Sequence, residues 1–194
     1  FAKKHLNNNE LMTTAAELRR MWINFPQTRH PPVIGFYSDR PNAGQNHVFS
    51  NFYTGAPFSF TIPNECGRVE LLAAGRPAVV QLTFAEKGIM LCKAATMGDY
   101  DKYDAILTAR YPGLCKALGR QVKPWDQARW DAVVCGVGVS VVLAKFSQTP
   151  SLKEILLATG DAILAEAQSV GKLFILNGFI AATPPFVHGK KRPA

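Results

Sequence analysis

The chain has 194 residues, of which 47% are hydrophobic and 19% are charged, a balance typical of a globular protein with a sizeable core. Its formal net charge of +8 at pH 7 favours an anionic partner such as nucleic acid, a nucleotide or another phosphate ester. The four cysteines are widely spaced, which favours reduced core thiols and an intracellular protein over a disulfide framework or a zinc site. No apolar run of membrane-spanning length is expected, and therefore no membrane partner.

Periodicity and breaker residues predict an α+β chain with more helix than strand. The N-terminal part is predicted to hold an amphipathic helix and several extended pieces, followed by a short helical patch. The helix covers residues 10–24, the extended pieces cover 33–37, 48–53, 57–62 and 78–83, and the patch lies around 69–74.

The C-terminal part is predicted to be mostly helical. The expected helices cover residues 99–109, 113–118, 126–146, 152–158 and a further helix-like run at 161–168. Residues 172–176 have the composition of a strand, and the tail from Thr183 is predicted to be unstructured.

The stretch from Thr83 to residue 95 is the centre of the interpretation. Thr83 and Glu86 form a capping-box pattern at the start of a predicted helix, most of which is apolar. Glu86 and Lys93 then lie about 20° apart around the helix axis and about 10 Å apart along it. A carboxylate and an ammonium on one apolar stripe need each other, a partner or a ligand. The alternative is a solvated edge with a weak ion pair.

Short motifs occur in a fixed order along most of the chain. They are FSNF at residues 49–52, Ala85-Glu-Lys87 with Lys93-Ala94, Leu118-Gly-Arg120, Trp130 fifteen residues before Lys145, LAKFSQ at 143–148, and LLATGD at 156–161 followed by LAEA at 164–167. In this order they resemble the NADAR family over about residues 33–180. The resemblance implies a compact, largely helical α+β domain that hydrolyses N-glycosidic bonds.

Two activities are known in the family. One branch removes ADP-ribose from guanine bases in nucleic acid, and the basic charge of this chain favours that substrate. Another branch cleaves phosphorylated intermediates of the riboflavin pathway. A third hypothesis, a non-catalytic ADP-ribose-binding module, follows from the departures described below. The sequence does not separate DNA from RNA or indicate an oligomeric state.

The resemblance also implies roles for individual residues. Glu86 would stabilise the positive sugar or align water, and Lys93 would neutralise phosphate or form a Schiff base with a ring-opened sugar. The substrate-binding positions would be Arg40, Asn51, Phe52, Trp130 and Lys145. All but Phe52 have a structural alternative: an ion pair for Glu86 and Lys93, a core position for Trp130, a turn for Asn51, a solvated side chain for Arg40 and an inward ion pair for Lys145. No metal and no cofactor are expected, because no ligand cluster is visible.

Three features depart from the family pattern. Lys87 stands where the family usually has His, and residues 61–80 are longer than the minimal pattern. The family Asp and Trp-Gly-Ile-Gly are replaced by a stretch with Gly171 and Phe174, so a catalytic Asp there would have to be substituted by Asp39, Asp131 or Asn177.

The predicted organisation has one catalytic unit. Residues 1–32 would form an N-terminal extension with the amphipathic helix, 33–182 the NADAR-like domain, and 183–194 a flexible basic tail. ADP-ribose and ADP-ribosylated nucleic acid are the expected partners.

Overall fold

The computed structural model describes residues 32–36, 39–40, 44–167 and 173–175. This part of the chain contains five strands and six α-helices, together with 3₁₀ helices at Gln45–Phe49 and Asn64–Cys66. The strands are β1 (Val33–Phe36), β2 (Phe58–Thr61), β3 (Val79–Leu82), β4 (Ile163–Ala167) and β5 (Leu173–Ile175). The helices are α1 (Arg68–Ala73), α2 (Ala85–Met97), α3 (Tyr100–Thr108), α4 (Pro112–Gly119), α5 (Gln127–Gln148) and α6 (Pro150–Ala158).

The strands form two small sheets, and the architecture is the predicted α+β fold. One sheet has the order β1-β4-β5, with β1 parallel to β4 and β4 antiparallel to β5. The other is an antiparallel pair of β2 and β3, in which Phe58 lies opposite Leu82. The strands predicted at 33–37, 57–62, 78–83 and 172–176 and the helices predicted between 99 and 158 are confirmed within a few residues.

Two secondary-structure predictions are wrong. The helix-like run at 161–168 is strand β4, because β1 and β5 supply backbone partners on its two sides. A short apolar run fits a buried strand and a helix equally well until such pairing is known. The extended piece at 48–53 begins inside a 3₁₀ helix, which buries Val48 and Phe49.

The central helix α2 also begins differently from the prediction. Its N-cap is the extended residue Phe84, and no side chain caps it, so the capping box of Thr83 and Glu86 is wrong. The backbone N–H of Glu86 donates instead to the carbonyl of Asn51 at 3.0 Å. The loop that contains Asn51, distant in sequence, therefore accepts a hydrogen bond from a helix N–H group that an N-cap side chain would otherwise accept. The helix ends at Gly98, whose φ of +71° is a left-handed conformation that favours glycine.

Helix α2 is the core of the domain. It packs against α3, α4 and α5, and its Leu91, Cys92 and Ala94 are fully buried in the larger hydrophobic cluster. A smaller cluster joins the β1–β4 sheet to the end of α5 and to α6 through Phe36, Phe49, Phe146, Leu152 and Leu164, among others. The loop at 50–56 connects the two clusters in sequence, since it follows the 3₁₀ helix of one and precedes the β2 strand of the other.

Helix α5 corrects the expectation that no apolar run has membrane-spanning length. By length and composition alone it is long and apolar enough to cross a membrane. The core helix of a globular protein meets the same criterion, and Val133, Val137 and Val141 of α5 lie in the larger cluster. Three cysteines, Cys66, Cys92 and Cys115, are buried in the same core.

The predicted N-terminal helix at 10–24, most of the 1–32 extension and the tail at 183–194 lie outside the described residues.

Gly88 allows α2 to approach its neighbours closely, and this contact gives a stability prediction. A Cβ atom at position 88 would lie 2.8 Å from Leu82 Cδ1 and 3.0 Å from Val141 Cγ2. We expect Gly88→Ala to lower the free energy of unfolding by about 1–3 kcal/mol, as overpacked cores do. Urea unfolding measures this change.

The matched control is Gly113→Ala in α4, where nothing lies within 4 Å of the added Cβ. There the better helix propensity of alanine should leave the protein equally stable or more stable, by up to about 1 kcal/mol. Equal midpoints for Gly88→Ala and wild type would contradict the close packing.

Candidate active site

Glu86 lies in the first turn of α2 and is only 7% exposed. The positive end of a helix favours a carboxylate at this position. Within the described residues, no hydrogen bond or ion pair involves the Glu86 carboxylate. The ion pair that these residues form within 4.0 Å joins Arg76 and Asp104. The structural ion pair with Lys93, considered from the sequence, is therefore not formed.

Several charges nevertheless act on Glu86 at longer range. Burial raises the pKa of the Glu86 carboxyl, and the ammonium of Lys116 in α4 opposes this most strongly. The carboxylate of Glu166 in β4 raises the pKa further, while Arg120 and Lys93 lower it. Helices α2 and α4 and strand β4 thus converge to place three cations and a second carboxylate around Glu86.

Lys93 lies two turns along α2 from Glu86 and is half-buried. Burial lowers the pKa of its amine, and the charge of Glu86 raises it. Its Nζ atom lies 4.4 Å from the centroid of the Trp125 ring, within the range of a cation–π contact. Glu86 and Lys93 interact electrostatically, in agreement with the shared face predicted from helical spacing.

Asn51 and Phe52 follow the 3₁₀ helix and lie at the start of α2. The Asn51 carbonyl accepts the Glu86 N–H, and the Phe52 N–H donates to Ser50 Oγ at 3.1 Å. Asn51 Oδ1 is buried but accepts no hydrogen bond within the described residues. A buried acceptor without a donor costs free energy unless a ligand or water supplies one. The Phe52 ring lies 5.1 Å from Lys116 Nζ, so this side chain also faces the cations.

Lys145 in α5 is 2% exposed, and its amine donates hydrogen bonds to the backbone. Its Nζ donates to the carbonyls of Val48 at 2.6 Å and Ser50 at 2.9 Å. It therefore holds the segment that leads into Asn51. This geometry gives no support to the inward ion pair or to the direct substrate contact predicted for Lys145.

Trp130 lies close to Lys93, because both contact the Trp125 ring. Trp130 is half-buried against the larger core cluster and contacts Trp125, with ring centroids 6.5 Å apart. These contacts fit the core position considered for Trp130, and its stacking on a substrate stays a prediction. Arg40 is exposed, and its predicted phosphate contact stays a prediction.

Glu166 is the residue that the predicted set of site residues lacked. It lies in the central strand of its sheet, opposite Phe36 in β1 and Phe174 in β5. Burial raises the pKa of its carboxyl, and Lys116 lowers it. The signal was its position in the LAEA motif. Of the candidates named to replace the family Asp, Asp131 is exposed and accepts from Gln127 Nε2 at 2.7 Å, and Asn177 lies outside the described residues.

No group of three His, Cys, Asp or Glu side chains in the described ranges could hold a metal ion. The site consists of carboxylates, cations, an amide and aromatic rings on an α+β domain.

Comparison with known proteins places this domain in a family. The family model described as the NADAR domain matches residues 36–176. A protein of Acanthamoeba polyphaga mimivirus, named as an N-glycosidase, is 31% identical over 141 residues, which cover 73% of this chain and 75% of that protein. The protein irg-1 of Caenorhabditis elegans is 30% identical over 134 residues, which cover 66% of this chain and 59% of that protein. The chain belongs to the NADAR family, as its motifs predicted.

Lys145 gives a prediction about the pH dependence of stability. Burial lowers the pKa of its amine to about 7 in the folded protein, from an ordinary value of 10.5. Between these values the unfolded chain binds the extra proton, so this lysine destabilises the fold below pH 7 and the penalty declines as the pH rises. Relative to Lys145→Met, the wild type should therefore gain up to about 1.4 kcal/mol of stability per pH unit above pH 7.

Urea unfolding between pH 6 and 9 measures this difference. Lys153→Met removes an exposed lysine from α6 and controls for the change in net charge. Parallel stability profiles for wild type and Lys145→Met would contradict the lowered pKa.

Proposed function

We propose that this protein is a hydrolase of N-glycosidic bonds that releases ADP-ribose from ADP-ribosylated guanine in nucleic acid. Membership of the NADAR family and the name of the mimivirus relative support the reaction class. The basic charge of the chain supports a polyanionic substrate. The choice of modified guanine in nucleic acid as the substrate rests on the family resemblance.

The observation that carries the proposal is the buried Glu86, whose carboxylate has no contacting partner among the described residues. Cleavage of the bond between the sugar C1 and the base nitrogen develops positive charge on the sugar. A carboxylate held beside C1 stabilises that charge or aligns the attacking water. Because Glu86 makes no contact ion pair within the described part of the chain, its charge is available to the substrate.

The cations around Glu86 suit the diphosphate of ADP-ribose. Lys93, Lys116 and Arg120 all act on Glu86 electrostatically, and cationic side chains bind phosphate strongly. Asn51 Oδ1 is a buried acceptor for a ribose hydroxyl or a base N–H. Phe52 and Trp130 offer rings against which a base can stack.

Two chemical roles are open to Lys93, and an experiment can distinguish them. As an ammonium it would bind phosphate. As a free amine, which burial favours by lowering its pKa, it would attack the aldehyde of a ring-opened ribose and release water to give a Schiff base. Borohydride reduction would trap a Schiff base as a stable adduct on Lys93 and would leave a phosphate-binding lysine unmodified.

Glu86→Gln is the decisive variant. With an oligonucleotide carrying ADP-ribosylated guanine, we expect wild type to release ADP-ribose and Glu86→Gln to be at least about 100-fold slower, because the amide cannot supply the negative charge. Mass spectrometry of the released ADP-ribose measures the rate. Glu154→Gln, at an exposed position of α6, is the matched control and should keep the wild-type rate.

Two other outcomes identify the alternatives. No release, together with a higher melting temperature in ADP-ribose, would replace the proposal with a binding module. Neither release nor binding, together with cleavage of a phosphorylated riboflavin-pathway intermediate, would assign the small-molecule activity.

Glu166→Gln tests the coupling of the two carboxylates. The negative charge of Glu166 raises the pKa of Glu86, so its removal should lower that pKa. If ionised Glu86 is the active form, the acidic limb of the rate profile then moves to lower pH. A profile with an unchanged acidic midpoint would show that Glu166 does not act on the reacting carboxylate.

A further inference from the structure

Trp125 is an aromatic side chain that the reaction described above does not use. It lies in the turn between α4 and α5 and is 43% exposed, whereas Trp130 beside it is half-buried. The two rings lie 6.5 Å apart and are inclined at 54°, and Lys93 Nζ lies 4.4 Å from the centroid of the Trp125 ring. Lys93 therefore lies between this ring and the Glu86 site.

The turn that carries Trp125 is firmly anchored on both sides. Val122 is buried in the larger core cluster, and the Lys123 N–H donates to Asp99 Oδ2 at 2.8 Å. On the other side, the Asp126 N–H lies 3.4 Å from Met97 Sδ. A ring presented by an anchored turn is ordered before a ligand arrives, which lowers the entropy cost of binding.

The charges around Trp125 are predominantly positive. Arg120, Lys123 and Arg129 are exposed in the same stretch. Its acidic neighbours are Asp99 and Asp126, which cap helices by accepting backbone N–H groups at 3.1 and 3.0 Å, and the exposed Asp131, which accepts from Gln127. With Lys93, four cations therefore stand against three carboxylates. An aromatic ring among cations matches a stacked base between phosphates, the chemistry of a single-stranded nucleic acid.

We propose that Trp125 is the stacking platform for a nucleotide that flanks the modified base, with Lys123 and Arg129 contacting its phosphates. This inference rests on the proposed function, because it gives the nucleic-acid substrate a path that begins at Lys93. It explains why a large aromatic ring is exposed on an anchored turn at the edge of the site.

Binding of unmodified nucleic acid tests the platform independently of catalysis. Fluorescence anisotropy with short single-stranded DNA and RNA should give about tenfold weaker binding for Trp125→Ala, the loss expected for one base stack, and nearly wild-type binding for Trp125→Phe. Leu157→Ala, which removes an exposed apolar side chain from α6, is the control and should bind like wild type. Lys123→Gln with Arg129→Gln should reduce the salt slope by about 2.

Catalysis supplies the second readout. The ratio of kcat/KM for an ADP-ribosylated oligonucleotide to that for ADP-ribosylated guanosine should exceed 1 in wild type and fall about tenfold in Trp125→Ala. An effect of the substitution on Lys93 itself cancels in this ratio.

If folded Trp125→Ala binds DNA and RNA as tightly as wild type does, the platform is overturned. Thermal unfolding shows whether the variant is folded. Loss of binding in Trp125→Ala but not in Trp125→Phe would support it even if no ADP-ribose is released from any substrate. That combination would overturn the proposed reaction alone.

Discussion

The site depends on one backbone hydrogen bond, from the Glu86 N–H to the Asn51 carbonyl. It joins the loop after the 3₁₀ helix to the first turn of α2, and it replaces the side-chain cap that this helix lacks. Lys145 holds the same loop from the opposite side through the Val48 and Ser50 carbonyls. The positions of the Asn51 amide and the Glu86 carboxylate are therefore fixed together, because the same backbone segment determines both.

This arrangement places charges where burial disfavours them. Glu86 and Lys145 are both nearly inaccessible, and burial alone disfavours the charged form of each. Lys145 regains part of this free energy through two short hydrogen bonds to the carbonyls of Val48 and Ser50. Within the described residues Glu86 has no such contact, and its charged form is favoured by the helix terminus and by the longer-range charges of Lys116, Arg120 and Lys93. A buried carboxylate whose pKa is raised and whose contacts leave it unpaired within the described residues is a candidate functional group.

The sequence predicted the features that repeat over many residues and not those decided by a distant partner. Helices α2 and α5 follow from long apolar patterns, and the shared side of Glu86 and Lys93 follows from helical geometry. The capping box was wrong because the Asn51 carbonyl supplies the cap from another part of the chain. The sequence predicts a helix where strand β4 forms, because the pairing of β4 with β1 is not visible locally. The place of Glu166 beside Glu86 depends on the same pairing, so spacing alone could not show it.

The charges of the site also suggest how one carboxylate could become an acid. Lys116, Arg120 and Lys93 lower the pKa of Glu86, whereas burial and Glu166 raise it. A diphosphate bound to these cations would screen their effect and add negative charge, so the pKa of both glutamates would rise. The charge of Glu166 raises the pKa of Glu86, so one added proton would relieve the repulsion between the two carboxylates. Substrate binding would in this way protonate one glutamate, which can then donate to the departing base, while the other keeps its charge beside the sugar.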